Sequence, residues 1–171
     1  MNAVADASPL IVLAKIDYLD LVPTLYEPVT ISLQVFAEVV VAGAGLPGAS
    51  QVAKSDWIEV RQLGDTGELA AAQAQYGLDI GELSTILLAT EIGTTTVLID
   101  ESRGRRLAKE RGLEVRGTIG ILENLENLFQ LGAIPDLRVA FQRILAQGAY
   151  VSLDFLNERL LSYGLPPLRR R

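Results

Sequence analysis

A chain of 171 residues has the length of one domain, and 49% hydrophobic with 21% charged residues is enough for a packed, soluble core, so a disordered chain is excluded. It contains no cysteine and no histidine, which removes disulfides, thiolate nucleophiles, imidazole bases and sulfur- or nitrogen-rich metal sites. Fifteen basic against twenty-one acidic residues give a net charge of −6, which excludes a general attraction to nucleic acid and leaves only local basic patches for that purpose.

In chain order, Asn2 to Asp6 reads as a short buried strand, and Ser8-Pro9 opens a helix because Ser caps and Pro suits the first turn. Leu10 to Leu25 is helical in pattern with a break near Asp17 or Pro23, and Pro28 to Ser32 is a second strand. Gln34 to Val41 fits either helix or strand. Trp57 to Leu63 alternates as a strand. Glu68 to Tyr76 and Glu82 to Ile92 are rich in Ala and Leu and read as helices, and Thr94 to Asp100 is a β-branched buried strand. A helix over Arg103–Glu110, a strand over Leu113–Arg116, a helix over Gly120–Leu131 and two helices beginning near Pro135 and Leu153 complete the chain. This β-α alternation predicts a mostly parallel sheet with helices on both faces. The whole of 1–171 is expected to be one domain, with a flexible basic tail from about residue 162. The longest apolar or glycine run, Val39 to Leu46, is far below the roughly 18 residues of a membrane helix. The N-terminus also lacks the basic-then-apolar order of a signal peptide, so the expected location is cytoplasmic.

The remaining chemistry rests on carboxylates, hydroxyls, Lys, Arg, Tyr and backbone, a set suited to hard cations such as Mg²⁺ or Mn²⁺. Asp6 and Asp100 each stand where a strand stops and a helix begins, the place where parallel sheets build sites, although Asp also caps helices there. Glu38 lies in the apolar run Val35 to Val41; it either needs a cation or donor, or shares a wet helix face with Gln34. Asp79-Ile-Gly-Glu82 and Asp65-Thr-Gly-Glu68 are near copies with the spacing of a capping box, which gives both glutamates a structural reading beside any chemical one. Gly43-Ala-Gly-Leu-Pro-Gly48 matches a dinucleotide loop literally, but Pro47 removes an amide that should face phosphate. Arg103, Arg105 and Arg106 head the densest basic stretch, and are either phosphate contacts or a solvated helix face. The apolar C-terminal helix Phe155–Leu161 covers the core or forms a dimer face.

Taken together, the order Asp6 with Ser8, Glu38, Glu82 and then Asp100-Glu101 resembles the PIN-domain ribonucleases. The phrases that carry the resemblance are Val-Ala-Asp-Ala-Ser-Pro-Leu-Ile at 4–11, Leu-Asp-Ile-Gly-Glu-Leu at 78–83, Val-Leu-Ile-Asp-Glu-Ser-Arg-Gly-Arg-Arg at 97–106 and Arg-Gly-Thr-Ile-Gly-Ile-Leu at 116–122. They are most similar to small stand-alone bacterial PIN proteins related to VapC toxins. The resemblance implies a three-layer α/β/α fold and a Mg²⁺- or Mn²⁺-dependent endoribonuclease, the toxin of a toxin–antitoxin pair. It implies an RNA substrate, single-stranded or looped, a small antitoxin partner and a homodimer. Asp6 matches the acid of the first strand, Glu38 that of the second helix and Glu82 that of the fourth helix. Asp100 or Glu101 matches the acid after the next strand. Asp6, Glu38, Glu82 and Asp100 are thus the expected catalytic residues, and Asp6, Glu82, Asp100 and Glu101 the expected metal ligands. Ser8, Arg103, Arg105 and Arg106 are the expected substrate contacts. The third acid is Glu where many relatives carry Asp, and Ile-Asp-Glu replaces the usual Thr-x-Asp. A catalytically weak RNA-binding or regulatory module is the first alternative, and a nucleotide-binding protein using the Gly43 loop the second.

Overall fold

The computed structural model describes residues 1–129, 136–148 and 151–169. Strands β1 (Ala3–Ala5), β2 (Val29–Ser32), β3 (Ile58–Arg61), β4 (Thr96–Leu98) and β5 (Glu114–Arg116) form one sheet in the order β3-β2-β1-β4-β5, with every neighbouring pair parallel. Parallel pairing requires a crossover between successive strands, and helices supply it. The chain first walks from β1 to β3 on one side, then returns to the other side for β4 and β5. The strand order therefore reverses at β1 and β4, and the crevice beyond their carboxyl ends is where such sheets place ligands.

The helices are α1 (Ala7–Lys15), α2 (Leu33–Phe36), α3 (Ala49–Lys54), α4 (Thr66–Tyr76), α5 (Ile80–Ile92), α6 (Ser102–Glu110), α7 (Thr118–Phe129), α8 (Leu137–Ala146) and α9 (Leu153–Ser162). Val4, Val97, Ile99 and Val115 project from one face of the sheet into a core built with Leu69, Leu83, Ile86 and Leu107 from α4, α5 and α6. Ala3, Ala5 and Leu98 point the other way by the period of two and are also fully buried, so the sheet is covered on both faces. Helix α5 is buried without interruption from Gly81 to Ala89 and packs against β1, β2 and β4. Its buried hydroxyls are satisfied: Thr85 donates to the carbonyl of Gly81, and the hydroxyls of Ser84 and Ser32 pair at 2.7 Å. This central position fixes the first turn of α5 at the mouth of the crevice.

The break predicted in the first long helix falls at Asp17, which adopts φ 64, and the chain resumes as a 3₁₀ helix over Leu19–Thr24 that contains Pro23. The ambiguous stretch Gln34–Val41 is helical, α2 running directly into a π-helix over Ala37–Ala42. Gly43–Gly48 thus follows a helix, not a strand, and leads only into the six-residue α3, so the strand–turn–helix context of a dinucleotide loop is missing. Helix α7 begins at Thr118, two residues before the expected start, and its predicted last residues, 130 and 131, lie outside the described ones, as does Pro135.

The chain divides into two compact units, Met1–Ile121 and Leu122–Arg171. Within the second, α8 packs on α9, where Leu156 and Leu160 are buried while Phe155 and Leu161 stay exposed. The expectation of a free tail from residue 162 needs correction as far as Leu168. That residue is buried, its N–H donates to Asn157 Oδ1, its carbonyl accepts from Asn157 Nδ2, and Arg138 donates to the carbonyls of Pro166 and Pro167. An asparagine side chain that both donates to and accepts from one backbone residue imitates a strand pair and holds the segment down. No described helix is long and apolar enough to cross a membrane.

Candidate active site

Asp6 terminates β1, and its N–H donates to the carbonyl of Leu98 at 3.0 Å, so the ends of β1 and β4 are tied together at the switch point. Asp6 takes the extended N-cap conformation of α1, but its carboxylate makes no capping hydrogen bond. Only 6% of the residue is exposed. Burial is the main reason its pKa is pushed up to about 7; the Ala7 amide pulls it partway back, and Glu38, Glu82 and Asp79 push it further up.

Glu82 sits in the first turn of α5. Asp79 caps that helix, its Oδ1 accepting from the Gly81 amide at 2.8 Å. Glu82 is 5% exposed and its Oε1 is buried without a hydrogen-bond partner. Burial raises its pKa, the Asp79 amide lowers it, Glu101 and Asp79 raise it again, and the Arg103 guanidinium lowers it slightly. The space for this carboxylate comes from Gly104 on α6: a Cβ there would lie 2.7 Å from Glu82 Oε1. In the twin phrase, Asp65 accepts from the amides of Gly67 and Glu68 in an ordinary cap, and Glu68 is exposed. The two glutamates share a local pattern and differ in what packs over them.

Glu38 projects from the π-helix, a rare backbone form found disproportionately at functional sites. It is exposed, and its pKa is nevertheless raised, by partial burial and then by the charge of Asp79. Glu38, Asp6 and the capping Asp79 come together around Gly81: a Cβ on that residue would lie 3.0 Å from Glu38 Oε2 and 3.1 Å from both Asp6 Oδ1 and Asp79 Oδ1. A glycine is what lets these oxygens approach one point on the helix end, whose amides favour negative charge. They open into a cleft of about 400 Å³ that is also lined by Ser8, Lys15, Glu82 and Glu101.

Asp100 is placed differently from the other acids. Its Oδ1 accepts from the Thr118 amide at 2.7 Å, and its Oδ2 accepts from the Thr118 hydroxyl at 2.7 Å and the Ser8 hydroxyl at 3.2 Å. It does not line the cleft, whereas its neighbour Glu101 does. The basic stretch is also divided. Arg105 turns inward and donates to the carbonyl of Ile99, while Arg103 donates to the carbonyl of Tyr76 and, with Arg106, lines a second cleft. Three residues of the site escaped the sequence reading. Asp79 was legible only as a cap and Thr118 only as part of a family phrase. Lys15 had a usable signal, since Ser8, Ile11, Val12 and Lys15 follow helical spacing and all line the cleft.

Among the described residues no three carboxylates are closed on one point as a finished metal-ligand set. Several observations fit a divalent cation all the same: the partnerless Glu82 Oε1, the oxygens gathered around Gly81, the raised pKa values of Asp6, Glu38 and Glu82, and a donor set made of oxygen alone. Uncompensated carboxylates hold one another apart, and a cation removes that repulsion. No curated protein matches the chain. A family model described as a PIN domain (DUF3368) matches residues 2–164, all but the first residue and the last seven. With nearly its full length matched, the parallel sheet in place and the acids gathered at its switch point, the chain belongs to the PIN-domain family.

Proposed function

We propose that this PIN domain is a Mg²⁺- or Mn²⁺-dependent endoribonuclease. PIN domains are in general nucleases and generally use divalent metal ions. The observation that carries the reading is the buried, partnerless Oε1 of Glu82 in the same cleft as Asp6, Glu38 and Glu101. Asp6 and Glu82 would be the principal anchors for the ion, with Glu38 and Glu101 completing the anionic wall of the cleft. A bound divalent cation supplies a water acidified toward neutral pH and positive charge against the phosphoryl oxygens. Lys15, on the α1 face of the cleft, offers an ammonium donor that orients a phosphodiester, while the Ser8 hydroxyl is committed to Asp100. Asp100 holds α1 and α7 in register through Ser8 and Thr118. Single-stranded RNA is the substrate class, since an unpaired strand can lower one phosphate into a recessed acidic cleft.

The test is Mn²⁺-dependent cleavage of a labelled single-stranded RNA by the wild type and Asp6→Asn. The variant is expected to lose cleavage while keeping its fold by circular dichroism; cleavage at the wild-type rate refutes the reading. In the toxin setting that the resemblance to VapC proteins implies, induction of the wild type arrests growth and Asp6→Asn does not. A second reading, a PIN module that binds RNA without turnover, is favoured by the complete hydrogen bonding of Asp100. Stabilisation by Mn²⁺ without cleavage of any RNA distinguishes it.

A further inference from the structure

The basic helix α6 carries Arg103, Arg106, Leu107 and Glu110 at spacings of three, one and three, which places all four on one face. That face and the α4–α5 junction enclose a cleft of about 240 Å³ whose other walls are Tyr76 and Leu78. Tyr76 gives it an aromatic wall, with the Arg111 guanidinium 5.8 Å from the ring centroid. Arg103 donates to the Tyr76 carbonyl at 3.0 Å, which uses one of the five N–H groups of its guanidinium. Neither Arg103 nor Arg106 has a carboxylate partner among the described residues. Two arginines against one carboxylate, Glu110, leave this cleft net positive in a chain whose net charge is −6. The volume is below the roughly 300 Å³ at which small-molecule pockets begin, so the cleft suits one unit of a polymer better than a free cofactor. Gly104, the residue after Arg103, packs against Glu82, where a Cβ would lie 2.7 Å from Oε1, and this sets the basic cleft beside the acidic one.

We infer that this cleft is a nucleotide subsite for single-stranded RNA, its base against Tyr76 and its phosphate held by Arg103 and Arg106, next to the phosphodiester that enters the acidic cleft. The subsite rests on the ribonuclease reading for its place in the reaction, but binding is measurable without catalysis. Fluorescence anisotropy of a labelled, mixed-sequence single-stranded RNA in EDTA, over a range of salt concentrations, provides the test. Arg106→Gln is expected to reduce the slope of log K against log salt by about 0.7, the value for one lost phosphate contact on a single strand. Tyr76→Leu, which keeps an apolar side chain against the core, is expected to weaken binding roughly tenfold with the slope unchanged. Lys109→Gln removes an equal charge from α6 outside the cleft and is expected to leave the slope as it is. Wild-type binding by both cleft variants, or the same slope change in Lys109→Gln as in Arg106→Gln, overturns the subsite. Should the slope and affinity respond as stated while Mn²⁺ supports no cleavage, the ribonuclease reading fails and the subsite stands.

Discussion

The buried carboxylate of Asp6 makes the metal-free protein less stable at alkaline than at acidic pH. Its pKa lies at 3.8 in an unfolded chain and at about 7 in the fold, so between those values the folded state holds a proton that the unfolded state has released. Stability therefore falls as pH rises from about 4 to about 7 and levels off above. At 1.36 kcal/mol per pKa unit the shift corresponds to about 4 kcal/mol, and water entering the open cleft reduces this toward about 2 kcal/mol. Replacing Asp6 by Asn removes the titrating group and no capping hydrogen bond, since the carboxylate makes none. In EDTA at pH 8 the variant is thus expected to be more stable than the wild type by about 2–4 kcal/mol, and at pH 5 by about two fifths of that, since about 1.2 of the roughly 3.2 pKa units lie below pH 5.

The assay is urea denaturation at pH 5 to 8 in EDTA, followed by the fluorescence of Trp57, the single tryptophan, which lies in the same unit as the site. Glu38 and Glu82 are raised as well, so a residual slope of the same sign is expected in the variant. Mn²⁺ added at pH 8 is expected to restore the wild type more than Asp6→Asn, because the ion takes the place of the proton. Wild-type stability that rises from pH 5 to 8 in EDTA, or a variant no more stable than the wild type at pH 8, refutes the reasoning.

Gly104→Ala is expected to keep the fold, since alanine favours a helix by up to about 1 kcal/mol over glycine, but to displace Glu82, whose Oε1 would stand 2.7 Å from the new Cβ. A smaller Mn²⁺-induced rise in melting temperature than in the wild type is the expected readout, and an unchanged rise refutes the link between Gly104 and the site. Thr118→Val removes the buried hydroxyl that donates to Asp100 at 2.7 Å and is expected to cost about 2 kcal/mol in denaturation, the range for a hydrogen bond to a charged group. A loss below about 0.5 kcal/mol shows that Ser8 and the Thr118 amide suffice for Asp100.

The sheet was legible because β1, β2 and β4 are short uncharged runs of apolar and hydroxyl residues, rich in Val, Ile and Thr, and they are buried at every position as strands covered on both faces must be. The difference between Glu68 and Glu82 was legible too, in the helices that follow them. Helix α4 fully buries only Leu69 and Ala72, with Tyr76 partly packed, whereas α5 has Leu, Ile and Ala on every side, so α5 is the helix suited to a central place and its first turn the one to be covered. The π-helix that carries Glu38 left no such trace, since a valine run satisfies strand and helix patterns alike. The sorting of the arginines was hidden for another reason. Arg105 turns inward because a carbonyl at the end of β4 needs a donor, and that requirement exists only once strand and helix are packed.

The acids of the crevice fall into two kinds by what the fold does for them. Asp100 receives three donors from Thr118 and Ser8, and its pairing accounts for it as a structural clasp. Asp6 and Glu82 are more deeply buried and receive less: Asp6 caps a helix without a capping bond, and Glu82 leaves one oxygen unpartnered against a glycine. Folding alone gives no reason for the second arrangement, because a neutral side chain at either position would relieve repulsion and desolvation together. A cation does give one, since the property that makes these carboxylates costly in its absence, unneutralised negative charge held at low dielectric, is what binds it tightly. On the proposed metal-dependent function, the charge that weakens the metal-free fold above neutral pH is the one that would hold the ion, so a variant that gains stability at Asp6 is expected to lose metal affinity with it.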